Sequence, residues 1–267
     1  MNKTKIDWAT MSWNPVTGCR HGCPYCYARR TARRFDAGCV DPTPLPGGLH
    51  VLTEKIKATP YPYGFEPTMH RYRLNQPERQ EEPQTVFVCS MADLFGRWVP
   101  TSWIVEVLDA CRRAPQHRYL FLTKNPARYL ELDHMALLPH ESNFWYGSTV
   151  ANEDAEAMYT MQGVAINSFW SMEPLLGPVD MSKAEGLPQW VILGAETGNR
   201  REKVVPRREW VDQIVPFCAE NEIPVFFKDN IRAHFQDLPP STFPWDDRES
   251  KTAKWAANFM GRFERQV

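Results

Sequence analysis

The sequence predicts an α/β fold, an open partial (βα)6 barrel of the TIM type with an irregular insertion after its first βα unit. Three observations lead there. Short apolar runs, rich in β-branched and aromatic residues, lie at 85–89, 119–123, 144–147, 167–170, 190–193 and 224–227. Near-continuous runs of that length suit strands buried on both faces, as in a parallel sheet. Helical patterns fall between them, and alternating strand and helix imply parallel βα units. The length accommodates about six or seven such units, fewer than the eight of a closed barrel. A doubly wound sheet is the other arrangement this alternation allows. In both, the site lies at the carboxyl ends of the strands.

In chain order, residues 27–36 read as a basic helix. Residues 36–84 then break the pattern: they are rich in Pro, Gly, Tyr and charge, with little periodicity. A structureless loop of that length is unusual inside a compact domain. The segment reads as an insertion that lids the site, with a short helix near 52–57, or as partly disordered. Thr101 is placed to cap a helix whose residues Ile104, Leu108 and Cys111 share one face. Asn152 is placed to cap another that ends at Gly163. Trp210, Ile214, Phe217 and Cys218 recur at helical spacing, and Pro216 is expected to kink or shorten that helix. The stretch after Asp237 reads as a tail or short helix. With no internal repeat, 1–267 is expected to be a single domain.

A chain of 267 residues with 43% hydrophobic content can bury one large core. Lys and Arg number 31 against 32 Asp and Glu, a net charge of −1. That balance argues against a dedicated non-specific nucleic-acid binder, although a local basic pocket for one phosphate stays open. No apolar stretch is long enough for a bilayer, and the first residues carry no apolar signal core. A soluble cytoplasmic protein is expected.

Three of the seven cysteines, Cys19, Cys23 and Cys26, crowd into eight residues with the spacing CxxxCxxC. In a reducing compartment such crowding points to metal rather than disulfides. Soft thiolates favour iron–sulfur clusters, Zn or Cu(I). Three thiolates on one loop can hold three corners of a cubane cluster and leave the fourth iron open for the amino and carboxylate groups of a methionine moiety. Gly18 and Gly22 give the loop backbone freedom. A Zn knuckle would need a fourth ligand, which Cys39 or His21 could supply, but such knuckles usually pair two short motifs and no second pair exists. Simple buried cysteines are the third reading.

The run from Gly18 to Ala28, with an aromatic at Tyr25, resembles the signature of the radical S-adenosylmethionine superfamily. More narrowly, the chain resembles a phage-associated family of small radical S-adenosylmethionine proteins. The matching segments are 13–19 (WNPVTGC), 90–95 (SMADLF), 122–126 (LTKNP), 171–176 (SMEPLL), 194–198 (GAETG) and 226–230 (FFKDN). They span roughly the whole chain beyond residue 6. Many relatives carry a longer gap between the first two cysteines, whereas this chain has the superfamily spacing. The resemblance implies a [4Fe–4S] cluster on Cys19, Cys23 and Cys26, with S-adenosylmethionine as the second cofactor. It implies that Tyr25 touches the adenine and that the Ser90–Met91 turn receives the methionine amino group. It also implies that Ser148 meets the ribose. An external electron donor is then required.

Asp93, Lys124, Glu173, Glu196 and Lys228 each closely follow an apolar run, and Asn14 lies in the first matching segment. Charges at strand ends are costly to desolvate unless paired or bound to ligand. These six are the candidate substrate-binding residues, and Glu173, Glu196, Lys228 and Cys39 the candidates for catalysis. Each could equally cap a helix or pair with a neighbour. Arg71 and Arg73, flanking Tyr72, either cover a substrate from the insertion or are solvated. Cys39 is either a hydrogen-atom donor or a loop cysteine. Cys89, Cys111 and Cys218 sit in apolar contexts that suit core roles. His21 reads as a loop residue, and His117, His134 and His140 have no metal spacing.

The chain has no second cysteine cluster and no separate RNA-binding domain, so a small polar substrate fits better than tRNA. One branch of the resembled family is associated with salvage of the base queuine. By that resemblance the expected activity is a queuine lyase, acting on a modified nucleoside or nucleotide by breaking its N-glycosidic bond. Acidic strand-end residues and aromatic rings would suit such a deazapurine. The alternatives are a DNA lesion repair lyase resembling spore photoproduct lyase, which needs a basic face, and a Zn-stabilised binding module without activity.

Overall fold

The computed structural model describes residues 1–35, 46–57, 59–160 and 166–246. The chain divides into two compact units, Met1–Tyr146 and Gly147–Val267.

In the first unit, the main-sheet strands are β1 (Asn2–Lys3), β2 (Met11–Trp13), β6 (Thr85–Val88), β7 (Arg118–Thr123) and the start of β8 (Phe144–Thr149), neighbours in that order. β1 runs antiparallel to β2, while β2, β6 and β7 are parallel. A second sheet joins β3 (Val16–Thr17), β4 (His50–Leu52) and β5 (Thr68–His70), with β5 in the middle. The helices of this unit are α1 (Tyr27–Arg34), α2 (Thr101–Arg112) and α3 (Ala127–His134). β6 and β7 are almost wholly buried, as continuous apolar runs dictate. Phe121 sits against Phe95 and Tyr146, with ring centroids 5.8 and 5.5 Å apart. α2 buries Trp103, Ile104, Val107, Leu108 and Cys111, a single face at helical spacing. Its cap position is Pro100, without a side-chain cap, so the expectation of a Thr101 cap is corrected. Thr101 is the first helical residue, and its hydroxyl accepts from Arg128 at 2.8 Å.

In the second unit, β8 ends and β9 (Asn167–Met172), β10 (Val191–Leu193) and β11 (Val225–Phe227) follow in sheet order. β10 is parallel to both of its neighbours. The helices are α4 (Ala157–Thr160), α5 (Arg208–Glu220) and α6 (Asp229–Arg232). α5 buries Val211, Ile214, Val215 and Cys218 among Met172, Val191, Leu193 and Phe227. Pro216 lies inside α5, which nonetheless runs on to Glu220, so the expected shortening is corrected. Burial of the apolar face outweighs the one intrahelical hydrogen bond that proline removes. The stretch after Asp237 closes the sheet edge. The Thr242 N–H donates to the Val225 carbonyl at 2.9 Å, and the Val225 N–H to Thr242 Oγ1 at 3.1 Å. Pairing of this kind covers the backbone groups an edge strand would expose.

The barrel expectation is therefore overturned. Each unit carries mostly parallel strands of the main sheet, with an antiparallel strand at the β1 edge of the first. Among the described residues only α1, α2, α3 and α5 reach two turns. Between β9 and β10 stands a single 3-10 turn, Met181–Lys183, rather than a helix. Strand and helix do not alternate one for one, and the fold is mixed α/β rather than a (βα)6 barrel. The insertion is corrected too. Residues 52–57 form no helix, and β4 pairs with β5, which pairs in turn with β3, the strand that leads into the cysteine loop. The expected end of a helix at Gly163 and the residues 36–45 lie outside the described residues.

Candidate functional site

The cysteine loop leaves β3 at Gly18. Its φ of +87° belongs to the left-handed region, and a Cβ there would overlap the Glu66 carbonyl, so only glycine fits. The Gly18 N–H donates to the Met91 carbonyl at 2.9 Å, which bridges the loop to the turn after β6. The Cys19 N–H donates to the Phe65 carbonyl at 3.2 Å. Gly22, at φ +72°, reverses the chain in open space. The loop ends at Cys26, which caps α1: its sulfur accepts from the Arg29 N–H at 3.3 Å.

Cys19, Cys23 and Cys26 are free and half-buried. Burial pushes the Cys19 thiol up to about 12, with Asp93 and the two neighbouring thiols adding to the shift and a backbone bond at His21 opposing it. Coordination to a metal deprotonates a thiol outright, so a bound cation would offset the cost of ionising Cys19. Among the described residues, no group of three or more His, Cys, Asp or Glu side chains is arranged to hold a metal ion. The loop supplies three soft sulfur donors from one continuous segment, the donor type that soft metals and metal clusters take.

Asp93 is the hub of this region, at 5% exposure. One oxygen accepts from the Phe95 N–H (3.0 Å) and Thr123 Oγ1 (2.8 Å). The other accepts from the Lys124 N–H (2.9 Å) and lies 2.7 Å from His21 Nε2. Its contacts are thus with the protein itself. His21 also meets the edge of Trp98, with centroids 4.8 Å apart. Sequence reasoning read His21 as a loop residue or as the fourth ligand of a Zn knuckle, and nothing in the loop's pattern marks a partner 72 positions away.

Lys124 places its ammonium 5.4 Å from the Tyr25 ring centroid. Burial raises the Tyr25 phenol, Lys124 opposes that shift, and Cys23 adds to it, which sets the phenol beside both. Asn14 holds the Ser90–Met91 turn: Oδ1 accepts from the Met91 N–H at 2.9 Å and from the Ser90 hydroxyl at 3.2 Å. The Ser90 carbonyl accepts from Tyr27 at 2.6 Å. Just before this turn Cys89 adopts φ +59°, uncommon for a residue with a side chain.

The second unit carries the remaining candidates. Glu173 pairs with Lys228 at the ends of β9 and β11. Gly194 lies between their stems; a Cβ there would press on Lys228 at 3.0 Å and Glu173 at 3.1 Å. Asn230 brackets the Ala195 peptide from both sides, accepting at 3.1 Å and donating at 2.7 Å. Glu196, buried at 1% exposure, faces Arg200 through two parallel bonds of 2.8 and 2.9 Å and accepts from the Val204 N–H. Arg200 holds that carboxyl below its ordinary value. Ser148 is buried in β8. Cys39 lies outside the described residues.

These features define an α/β protein whose thiol-bearing loop is stitched to the end of a parallel strand. A family model described as "Protein of unknown function (DUF5131)" matches residues 3–254, and the chain belongs to that family. No curated protein and no solved structure matches the chain. Among the described residues no helix is long and apolar enough to cross a membrane.

Proposed function

We propose that the chain holds a [4Fe–4S] cluster on Cys19, Cys23 and Cys26 and acts as a radical S-adenosylmethionine enzyme. The observation that carries this reading is the loop: three free, half-buried thiols within eight residues, fixed at Gly18 to Met91 and at His21 to Asp93. When bound, the cluster supplies the electron that breaks an S–C bond of S-adenosylmethionine to give a 5′-deoxyadenosyl radical. The chain's own residues bind and orient. Asn14 fixes the Ser90–Met91 turn, whose carbonyls each keep a second lone pair for an ammonium group. Tyr25 offers the aromatic face for adenine, held by Lys124. An external donor supplies the electron.

For the substrate we propose a modified nucleoside or nucleotide, queuosine or its 5′-phosphate, with release of queuine. The support is the segment-level resemblance, together with the Glu173–Lys228 pair, whose side chains are 23% and 12% exposed. Glu196, engaged on both oxygens, is assigned to loop structure instead. The test is incubation of the reconstituted, reduced chain with S-adenosylmethionine and queuosine. The reading expects 5′-deoxyadenosine and free base in step. S-adenosylmethionine cleavage stimulated by queuosine without free base overturns the substrate, and no cleavage under any reductant overturns the class.

A further inference from the structure

A cavity of about 330 Å³ opens in the first unit, lined among others by Ser12, Asn14, Lys55, Tyr61, Tyr72 and Arg73. That volume is at the lower end for small-molecule sites. None of the lining residues is acidic. Arg73 is half-buried, and among the described residues neither it nor Lys55 pairs with a carboxylate. The geometry of Arg73 is nonetheless fixed. NH1 donates to the Asn14 carbonyl at 2.8 Å, Nε donates to the Tyr72 hydroxyl at 3.2 Å, and the guanidinium carbon stands 5.3 Å from the Tyr72 ring centroid. Its uncompensated field reaches its neighbours. His70 is pushed down to about 3, first by burial and then by Arg73. A half-buried guanidinium held in place without an anion is costly, and a bound oxyanion offsets that cost through charge-assisted hydrogen bonds.

We propose that this cavity is a binding site for a small organic anion, a phosphate monoester or a carboxylate, with Arg73 as its principal partner and Lys55 at its mouth. Tyr61 and Tyr72 bring aromatic rings to a lining that is otherwise mostly polar. The site uses none of the three loop cysteines and shares only Asn14 with the residues assigned above to the cofactor.

The test uses matched aryl probes on the full chain: phenyl phosphate, benzoate and the neutral benzyl alcohol, followed by ligand-observed NMR. The site predicts that at least one anion binds while benzyl alcohol does not, and the stronger of the two names the head group. Arg73→Gln is expected to weaken that binding about tenfold or more, and Lys55→Gln a few-fold. Raising the salt should weaken it too. If Arg73→Gln fails to fold, Lys55→Gln and the salt series decide. Equal binding of the neutral probe, no binding of either anion, or anion binding indifferent to both substitutions and to salt overturns the proposal.

Discussion

His21 Nε2 and Asp93 Oδ2 stand 2.7 Å apart, and this contact ties the cysteine loop to the residues that follow β6. Asp93 is buried and saturated with donors, so the tether is rigid on the strand side. Asp93→Ala leaves the Thr123 hydroxyl and two backbone N–H groups without their acceptor. It should cost about 3 kcal/mol or more in denaturant unfolding. His21→Ala should cost about 1 kcal/mol, because its ring is partly solvated. Its larger effect is expected on iron retained per chain after reconstitution.

Gly18 and Gly22 should respond differently to alanine. Both have positive φ, which costs a residue with a Cβ about 1–2 kcal/mol. Gly18→Ala also drives its Cβ into the Glu66 carbonyl, while Gly22→Ala meets open space. Unfolding midpoints should therefore fall markedly for Gly18→Ala and modestly for Gly22→Ala.

Much of this was legible in the sequence. All six apolar runs became strands, β6 to β11, because a strand buried on both faces must be apolar throughout. The two- and three-residue strands β1 to β5 are too short to carry a period, and leaving them out made the strand count fit a smaller barrel. The segment 173–190 was long enough for a helix but carries only a 3-10 turn. The three cysteines announced themselves by spacing. The partners of Asp93, Asn14 and Glu196 did not, since those contacts depend on which chain segments the sheet brings side by side.

Glu196 and Arg200 make a pH-dependent contribution to stability. The carboxyl's folded pKa is lowered, so the contribution is present above the unfolded value of about 4.3 and is lost as pH falls through the folded value. Glu196→Gln should be less stable than the wild type near neutral pH, and the gap should close on acidification. Thermal melts across pH 2–7 check this.

Glu173→Gln and Lys228→Met should each destabilise, by about 1–3 kcal/mol, since each leaves a partly buried partner unpaired. The double variant should cost less than the sum. A double-mutant cycle in denaturant reads that coupling.

Native-state alkylation should separate the cysteines. Cys89, Cys111 and Cys218 are buried, and burial pushes their thiols up, so they should stay unlabelled. In metal-free protein Cys23 and Cys26 should label ahead of Cys19, whose thiol burial pushes up, as mapped by peptide mass spectrometry.

The most direct measurement is electron paramagnetic resonance of the anaerobically reconstituted, reduced chain, with and without S-adenosylmethionine. The cluster reading predicts a [4Fe–4S] signal that changes when S-adenosylmethionine is added and is lost in Cys23→Ala. A colourless protein that holds zinc and is indifferent to S-adenosylmethionine would contradict it.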